Sequence, residues 1–456
     1  MKSAVSDDNT QPSEGAERVW QPILSGERAA AAWDVVEAIA EDLRPLAGRP
    51  WAEAEAGANP TVSEERWAGL AGGQAGLALF FAYLDQARPD QGYDDVAFEA
   101  LELAIDRMAV GSASLPRLYS GFPGVAWAVE HLQGPFIEEG DEDPGAEIAA
   151  VLQGYLSQSP LPDGNYDLIG GIAGLGVYGL ERMPRSGGRE CVELAVARLS
   201  ELVEPVDVEG GGLSWRTPRE RVQPEVRDKY PEGNFNLGVA HGVPGILGFL
   251  SGALGAGFDV RDLLGAGVRW LLTQRMPEGS ASTFAYVAAR GIEPVPSRLA
   301  WCYGDPGIVP ILLAAARQAG EPAWEEAARS VAAAAARRSM VTAARMSSEG
   351  SGVIDAGLCH GSAGLGHLFN RVYHATGDET LRDAALAWFD WTFKYRQPGN
   401  GPGGFVAFDA DAEGQTGWFP IPGFLTGAAG VGLGLLGALT EVEPAWDRLL
   451  LAAIPP

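Results

Sequence analysis

Two apolar patterns alternate along the chain. One is a nearly continuous apolar run seeded by a Gly-x-x-Gly, as at residues 77–84 and 246–250. The other is an amphipathic stretch whose apolar positions recur at helical spacing. The Gly-x-x-Gly recurs at Gly73/Gly76, Gly121/Gly124, Gly171/Gly174, Gly242/Gly245, Gly304/Gly307, Gly361/Gly364 and Gly427/Gly430. Its third position is always Ala75, Pro123, Ala173, Pro244, Pro306, Ala363 or Ala429. The first turn of a helix accepts both residue types, and Pro there has its φ preset and no N–H to leave unpaired. Each motif therefore predicts a tight turn feeding a helix buried on most faces.

The amphipathic helices are predicted ahead of the motifs, at about 27–43, 94–110, 146–157, 189–203, 260–274, 322–345 and 378–395. In the second, Ala97, Leu101, Ala104 and Met108 share a face; in the last, Ala384, Trp388, Trp391 and Tyr395 do, with Asp378 as the expected N-cap. Seven inner and seven outer helices in alternation point to an all-α protein, an α/α toroid of seven helical hairpins. Closure into a ring buries every inner helix, whereas an open array would need polar capping repeats, and the last motif looks like a full core repeat. Longer linkers at about 205–237, 275–299 and 396–423 are expected to be extended loops with a few short β-hairpins over one end of the ring. Residues 21–456 read as one toroidal domain, and residues 1–20, acidic and polar, as a disordered tail.

Composition then narrows the function. A formal net charge of −27 excludes a nucleic-acid binder, which needs clustered Lys and Arg. The N-terminus lacks a basic segment followed by an apolar run, and no long uninterrupted apolar stretch suggests a membrane span. Three cysteines cannot build a disulfide framework, so a cytoplasmic setting is expected, where cysteines bind metal or do chemistry.

Two of those cysteines hold the same place in adjacent repeats. Cys302 and Cys359 each precede the first glycine of a motif by two residues, and His360 follows Cys359 directly. Inner helices that run in one direction gather their N-termini at one rim, so these side chains should meet in a shared bowl. Two thiols and an imidazole make three ligands for Zn²⁺ with a fourth position open. His241 and Tyr303 sit one residue before their motifs and Asp167 four before its own, which places them at the same rim.

The motifs Trp301-Cys302-Tyr303-Gly304, Cys359-His360-Gly361 and Ala240-His241-Gly242-Val243-Pro244-Gly245, on this repeat, resemble the lanthionine synthetase C family over about residues 65–440. Arg298, four residues before Cys302, strengthens the resemblance. It implies a stand-alone, zinc-dependent lanthipeptide cyclase that adds peptide cysteine thiols across dehydroalanine or dehydrobutyrine to form thioether rings. It further implies a dehydrated precursor peptide as substrate, with a separate dehydratase and an export transporter as partners. Cys302, Cys359 and His360 become the zinc ligands, His241 the acid–base residue and Arg298 the stabiliser of the enolate oxygen. Asp167 is left to orient His241 or to shuttle protons, and Tyr303 to a less defined role.

Other readings stand beside this one. A relative of the same fold could add glutathione to dehydrated residues, or a non-catalytic scaffold could merely hold the precursor. A toroidal glycosidase would need two carboxylates, for which Asp167 and Asp305 are the candidates, but that leaves the Cys–His set without a purpose. Cys191, His131, His367 and His374 read as structural. The acidic runs 138–143 and 409–411 read as solvated loops.

Overall fold

The computed structural model describes residues 20–50, 67–110, 116–134, 136, 143, 145–161, 164–338, 353–410 and 415–456. Residues 1–19 of the expected tail and the acidic positions 138–142 and 411 lie outside these residues, whereas Trp20, expected in the tail, is buried and donates its Nε1–H to the Gly437 carbonyl at 2.8 Å. Among the described residues, fourteen helices of 11 to 18 residues alternate between two layers. The outer ones are α1 (Gly26–Leu43), α3 (Tyr93–Val110), α5 (Gly145–Leu156), α7 (Gly188–Leu202), α9 (Arg261–Thr273), α11 (Pro322–Ala336) and α13 (Glu379–Tyr395). The inner ones are α2 (Gln74–Ala87), α4 (Phe122–Leu132), α6 (Ile172–Arg182), α8 (Val243–Gly255), α10 (Asp305–Ala319), α12 (Ser362–Thr376) and α14 (Ala428–Leu439). Each inner helix packs on the next, and α14 packs back on α2, so the toroid is closed.

Helix character follows the pattern. Every residue of α14 is buried, whereas α1 buries one stripe, Ala32, Val35, Val36, Ile39, Ala40 and Leu43. Asp378 caps α13, its carboxylate accepting from the Thr380 N–H at 2.9 Å. Helix α11 ends at Ala336, short of the expected 345, and residues from 339 lie outside the described set. Asp143 is an exposed loop residue that also accepts from Arg182 at 2.6 Å, whereas Asp409, expected in a loop, belongs to a strand.

The second glycine of each motif has a steric cause. A Cβ on Gly245 would lie 2.2 Å from the Val239 carbonyl oxygen, and one on Gly307 would lie 2.1 Å from that of Trp301. The turn carbonyl folds against the first helical turn, and only a hydrogen leaves room for it.

A belt of backbone hydrogen bonds sets the register between repeats. The residue two before each motif donates its N–H to the carbonyl of its equivalent in the next repeat. The bonds run from Ala71 to Tyr119 (2.9 Å), Ile169 (3.3 Å), Ala240 (3.3 Å), Cys302 (3.4 Å), Cys359 (3.3 Å), Leu425 (2.8 Å) and back to Ala71 (3.0 Å). Each group is thereby paired where helix N-termini would otherwise leave it bare.

Among the described residues the long linkers carry three antiparallel two-stranded sheets: β1 (Glu204–Val206) with β2 (Gly212–Ser214), β3 (Phe235–Asn236) with β4 (Val287–Ala288), and β5 (Ala407–Ala410) with β6 (Thr416–Phe419). The β3–β4 pair joins two different linkers, which sequence patterning does not show. Asp305, a candidate glycosidase carboxylate, is fully buried and accepts from the backbone N–H groups of Thr283 and Phe284 at 2.8 and 3.0 Å. It ties a linker to the ring and reaches no bowl.

A C-terminal segment fills the middle of the ring. Tyr119 Oη and Trp301 Nε1 donate to the carbonyls of Leu449 and Leu450 at 2.6 and 2.7 Å. Asp447, fully buried, accepts from Arg371 at 2.6 and 3.0 Å and lies 2.8 Å from His367 Nε2. This segment is the floor beneath the rim.

Candidate metal centre

The rim brings Cys302, Cys359 and His360 together, with one potential ligand atom from each lying within 4.8 Å of the others. Two are adjacent links of the backbone belt, so their thiols project from equivalent points of neighbouring repeats. Both cysteines are buried, and Cys191 is buried on α7, remote in role, with its thiol directed at the Ala149 carbonyl. His360 Nε2 lies 3.5 Å from Asp355 Oδ2, while its Nδ1 is buried and without a hydrogen-bond partner. A buried, unpaired imidazole nitrogen beside two thiols is a donor set suited to zinc, and the residues fit that ion.

The electrostatics favour anionic sulfur. The Cys302 thiol is held well below the usual range: the Cys359 S–H donates to it, and His360 and Arg298 outweigh the opposing effect of burial. Cys359 is correspondingly pushed well above that range. Negative charge on the pair is thus favoured at Cys302 over Cys359. Burial alone would lower His360, but Asp355 and the Cys302 sulfur raise it to about 10. Arg298 Nη2 donates to Cys302 Sγ at 3.3 Å.

Around the rim, His241 stands between Asp167 and Cys302. Its Nδ1 is 2.7 Å from Asp167 Oδ2, and Asp167 Oδ1 accepts from the Gly170 N–H at 2.8 Å. The His241 side chain is 48% exposed while that of Asp167 is 9% exposed, so the pair presents imidazole to the bowl and keeps carboxylate behind it. Burial lowers the His241 pKa, but its contact with Asp167 and the charge on Cys302 raise it above its ordinary value. Tyr303 accepts from Asn236 Nδ2 at 2.9 Å, and burial pushes its phenol up to about 12, so it stays protonated. A cavity of about 360 Å³ opens on the other side of the bowl, lined among others by His241, Asp167, Asn165, Arg117, Thr426 and Asp409.

Sequence reasoning missed Asp355, Asn236 and Arg117, and also Tyr286, whose hydroxyl accepts from the Arg298 N–H at 3.2 Å. One signal was available. Asn165, Asn236, Arg298 and Asp355 all stand six residues before the first glycine of their motifs. Position −6 is thus a rim position, as −2 and −1 are.

A closed α/α toroid with a Cys–Cys–His cluster at the N-terminal rim of its inner helices defines the class of protein. Residues 68–451 match the model of the lanthionine synthetase C-like protein family. The chain belongs to that family. Among solved structures it is similar to nisin cyclase, with a TM-score of 0.67 and 18% identity over 92% of this chain and 97% of that one. Looser similarities are to cellobiose 2-epimerase from Bacillus thermoamylovorans B4167 (TM-score 0.45, 11% identity, 89% of this chain and 99% of that one). An α-1,6-mannanase from Salegentibacter sp. HEL1_6 follows (TM-score 0.39, 12% identity, 93% and 98%). Among the described residues no helix is long and apolar enough to cross a membrane.

Proposed function

We propose that the chain is a zinc-dependent lanthipeptide cyclase, adding cysteine thiols of a dehydrated precursor peptide across dehydroalanine or dehydrobutyrine. The products are lanthionine and methyllanthionine rings. The observation that carries this reading is the Cys302–Cys359–His360 cluster beside the His241–Asp167 pair, in a chain of the lanthionine synthetase C-like family.

In the reaction the S–H bond breaks, a carbon–sulfur bond forms at the β-carbon, the double bond is lost, and a proton ends on the α-carbon. Zinc held by Cys302, Cys359 and His360 would supply the deprotonation of the substrate thiol, whose free pKa of ~8.5 keeps it mostly protonated at neutral pH. His241, whose protonated form Asp167 favours, faces the bowl and delivers the proton to the α-carbon of the enolate. Arg298, fixed by its contact with Cys302, places its positive charge near the enolate oxygen. Tyr303 donates or accepts a hydrogen bond at the same wall. The cavity beyond His241 receives the dehydrated residue and its flanking peptide. In this reading the chain works in the cytoplasm after a separate dehydratase and before an export transporter.

The test is incubation with a dehydrated, cysteine-containing peptide, followed by alkylation of free thiols and mass measurement. A cyclase protects the thiols from alkylation with no change in peptide mass, and metal-stripped protein does not. A mass gain of one glutathione, when that thiol is supplied, would identify the glutathione-adding alternative instead. Peptide binding with neither change would leave a scaffold.

A further inference from the structure

Asp355 is the buried charged group next to the cluster that the proposed chemistry leaves unused. Its side chain is 1% exposed. Oδ1 accepts from the Gly357 N–H at 3.3 Å, Oδ2 accepts from the Phe408 N–H at 3.2 Å, and Oδ2 lies 3.5 Å from His360 Nε2. One carboxylate therefore touches its own turn, the first residues of the β5–β6 hairpin, and the far side of the candidate ligand histidine.

The repeat shows which of these contacts needs a charge. At the equivalent position, Asn236 Oδ1 accepts from the Gly238 N–H at 2.8 Å, and Asn165 Oδ1 accepts from the Asp167 N–H at 3.3 Å. An amide oxygen is thus enough to close this turn in two sister repeats. Only in the repeat that carries Cys359 and His360 does a carboxylate replace it. The turn does not account for the difference, whereas the histidine does. A carboxylate 3.5 Å from Nε2 can only accept from it, which keeps a proton on Nε2 and leaves Nδ1, the buried and unpartnered nitrogen, as the one that can give up its proton and offer a lone pair to a metal ion.

We propose that Asp355 is a positioning residue for the metal centre. It selects the His360 tautomer that ligates through Nδ1, and through Phe408 it sets the hairpin whose next residue, Asp409, lines the cavity. The inference rests on the reading of the cluster as a metal centre, but not on the identity of the peptide substrate. Carboxylate partners of metal-bound histidines commonly account for ~10–100-fold in metal affinity.

Asp355→Asn is the discriminating variant. Its Oδ1 can close the turn as Asn165 and Asn236 do, while its amide N–H faces His360 Nε2 and drives the ring proton onto Nδ1. Zn²⁺ affinity is measured by chelator competition, the ligating nitrogen by ¹⁵N NMR of the histidines in the zinc-loaded protein, and the fold by circular dichroism of the metal-free protein. The expected result is a metal-free spectrum like that of the wild type, with a slightly lower melting temperature because the amide NH2 cannot accept from the Phe408 N–H, and zinc affinity ~10–100-fold weaker. Wild-type zinc-loaded protein should show His360 bound through Nδ1, and Asp355→Glu, which restores the charge, should recover part of the affinity. Unchanged affinity in Asp355→Asn, or His360 bound through Nε2 in the wild type, would overturn the proposal. Wild-type protein that binds no zinc would instead sink the metal centre itself, and loss of cyclisation with normal zinc binding would fault only the proposed substrate.

Discussion

Cys302 donates its backbone N–H to the carbonyl of Cys359 at 3.3 Å, although 57 positions separate them in the chain. The two are neighbouring links in a seven-membered belt, so their side chains leave the rim from equivalent points. That relationship brings two cysteines far apart in the sequence into one cluster, and it makes their roles separable from the fold, because the belt uses only main-chain atoms.

Replacing either cysteine with alanine should therefore remove the metal and spare the toroid. We expect about one zinc per chain in the wild type and at least about tenfold less in Cys302→Ala and Cys359→Ala, since two ligands cannot retain the ion of a three-ligand site. Metal quantitation beside circular dichroism decides it. Stoichiometric zinc in either variant would place the ion elsewhere.

His241 should be separable from the metal in the opposite sense. His241→Asn is expected to lose ~10²–10⁴-fold in cyclisation rate with zinc content unchanged, the usual range for a general acid. Loss of zinc together with rate would show that His241 acts on the metal centre.

The pH profile tests its partner. Asp167 helps hold the His241 pKa above 6.5, so the imidazolium persists to higher pH than an isolated histidine. A proton donor works only in its protonated form, so its contribution to the rate is lost as pH rises through that raised pKa. Activity should thus fall on the alkaline side of that raised pKa, and Asp167→Asn should move the fall to lower pH. An alkaline limb that stays in place would assign it to another group.

The motif glycines predict a contrast in stability. Gly245→Ala and Gly307→Ala, whose Cβ atoms would meet a carbonyl at 2.2 and 2.1 Å, should each cost about 1–3 kcal/mol or more as the turn is pushed off its helix. Gly154, exposed on α5 with nothing within 4 Å of a built Cβ, should gain about 0.5–1 kcal/mol as Ala. Urea unfolding of the three variants checks both signs.

The floor of the bowl should be just as sensitive. Asp447→Asn removes the buried carboxylate of Arg371 and leaves it only the exposed Glu443 at 3.1 Å, which should cost about 3 kcal/mol. Burial raises the Asp447 pKa, but Arg371 and His367 outweigh it and hold the group below the usual carboxylate range. Its contribution is thus present above the ordinary carboxylate pKa and lost as pH falls through the depressed one. Acid unfolding of the wild type should show a transition that the variant lacks.

The sequence by itself determined the repeat, because each repeat must solve the same local problem: a turn tight enough to need glycine, and a helix that accepts Pro or Ala in its first turn. Counting those solutions gives the seven inner helices, and helical periodicity gives the outer seven. It also places Cys302, Cys359, His360, His241 and Asp167 at one rim, since equivalent offsets mean equivalent positions. What only the tertiary structure decided is what crosses between distant parts of the chain. The β3–β4 pairing, the C-terminal segment under the rim, the Asp305 tie to its linker and the Asp355 contact with both His360 and Phe408 join residues with no shared periodicity. Such contacts depend on which surfaces the closed ring brings together. Position −6 lies between these cases: its offset was legible, but a carboxylate there becomes distinct from an amide only once the imidazole it faces is in place.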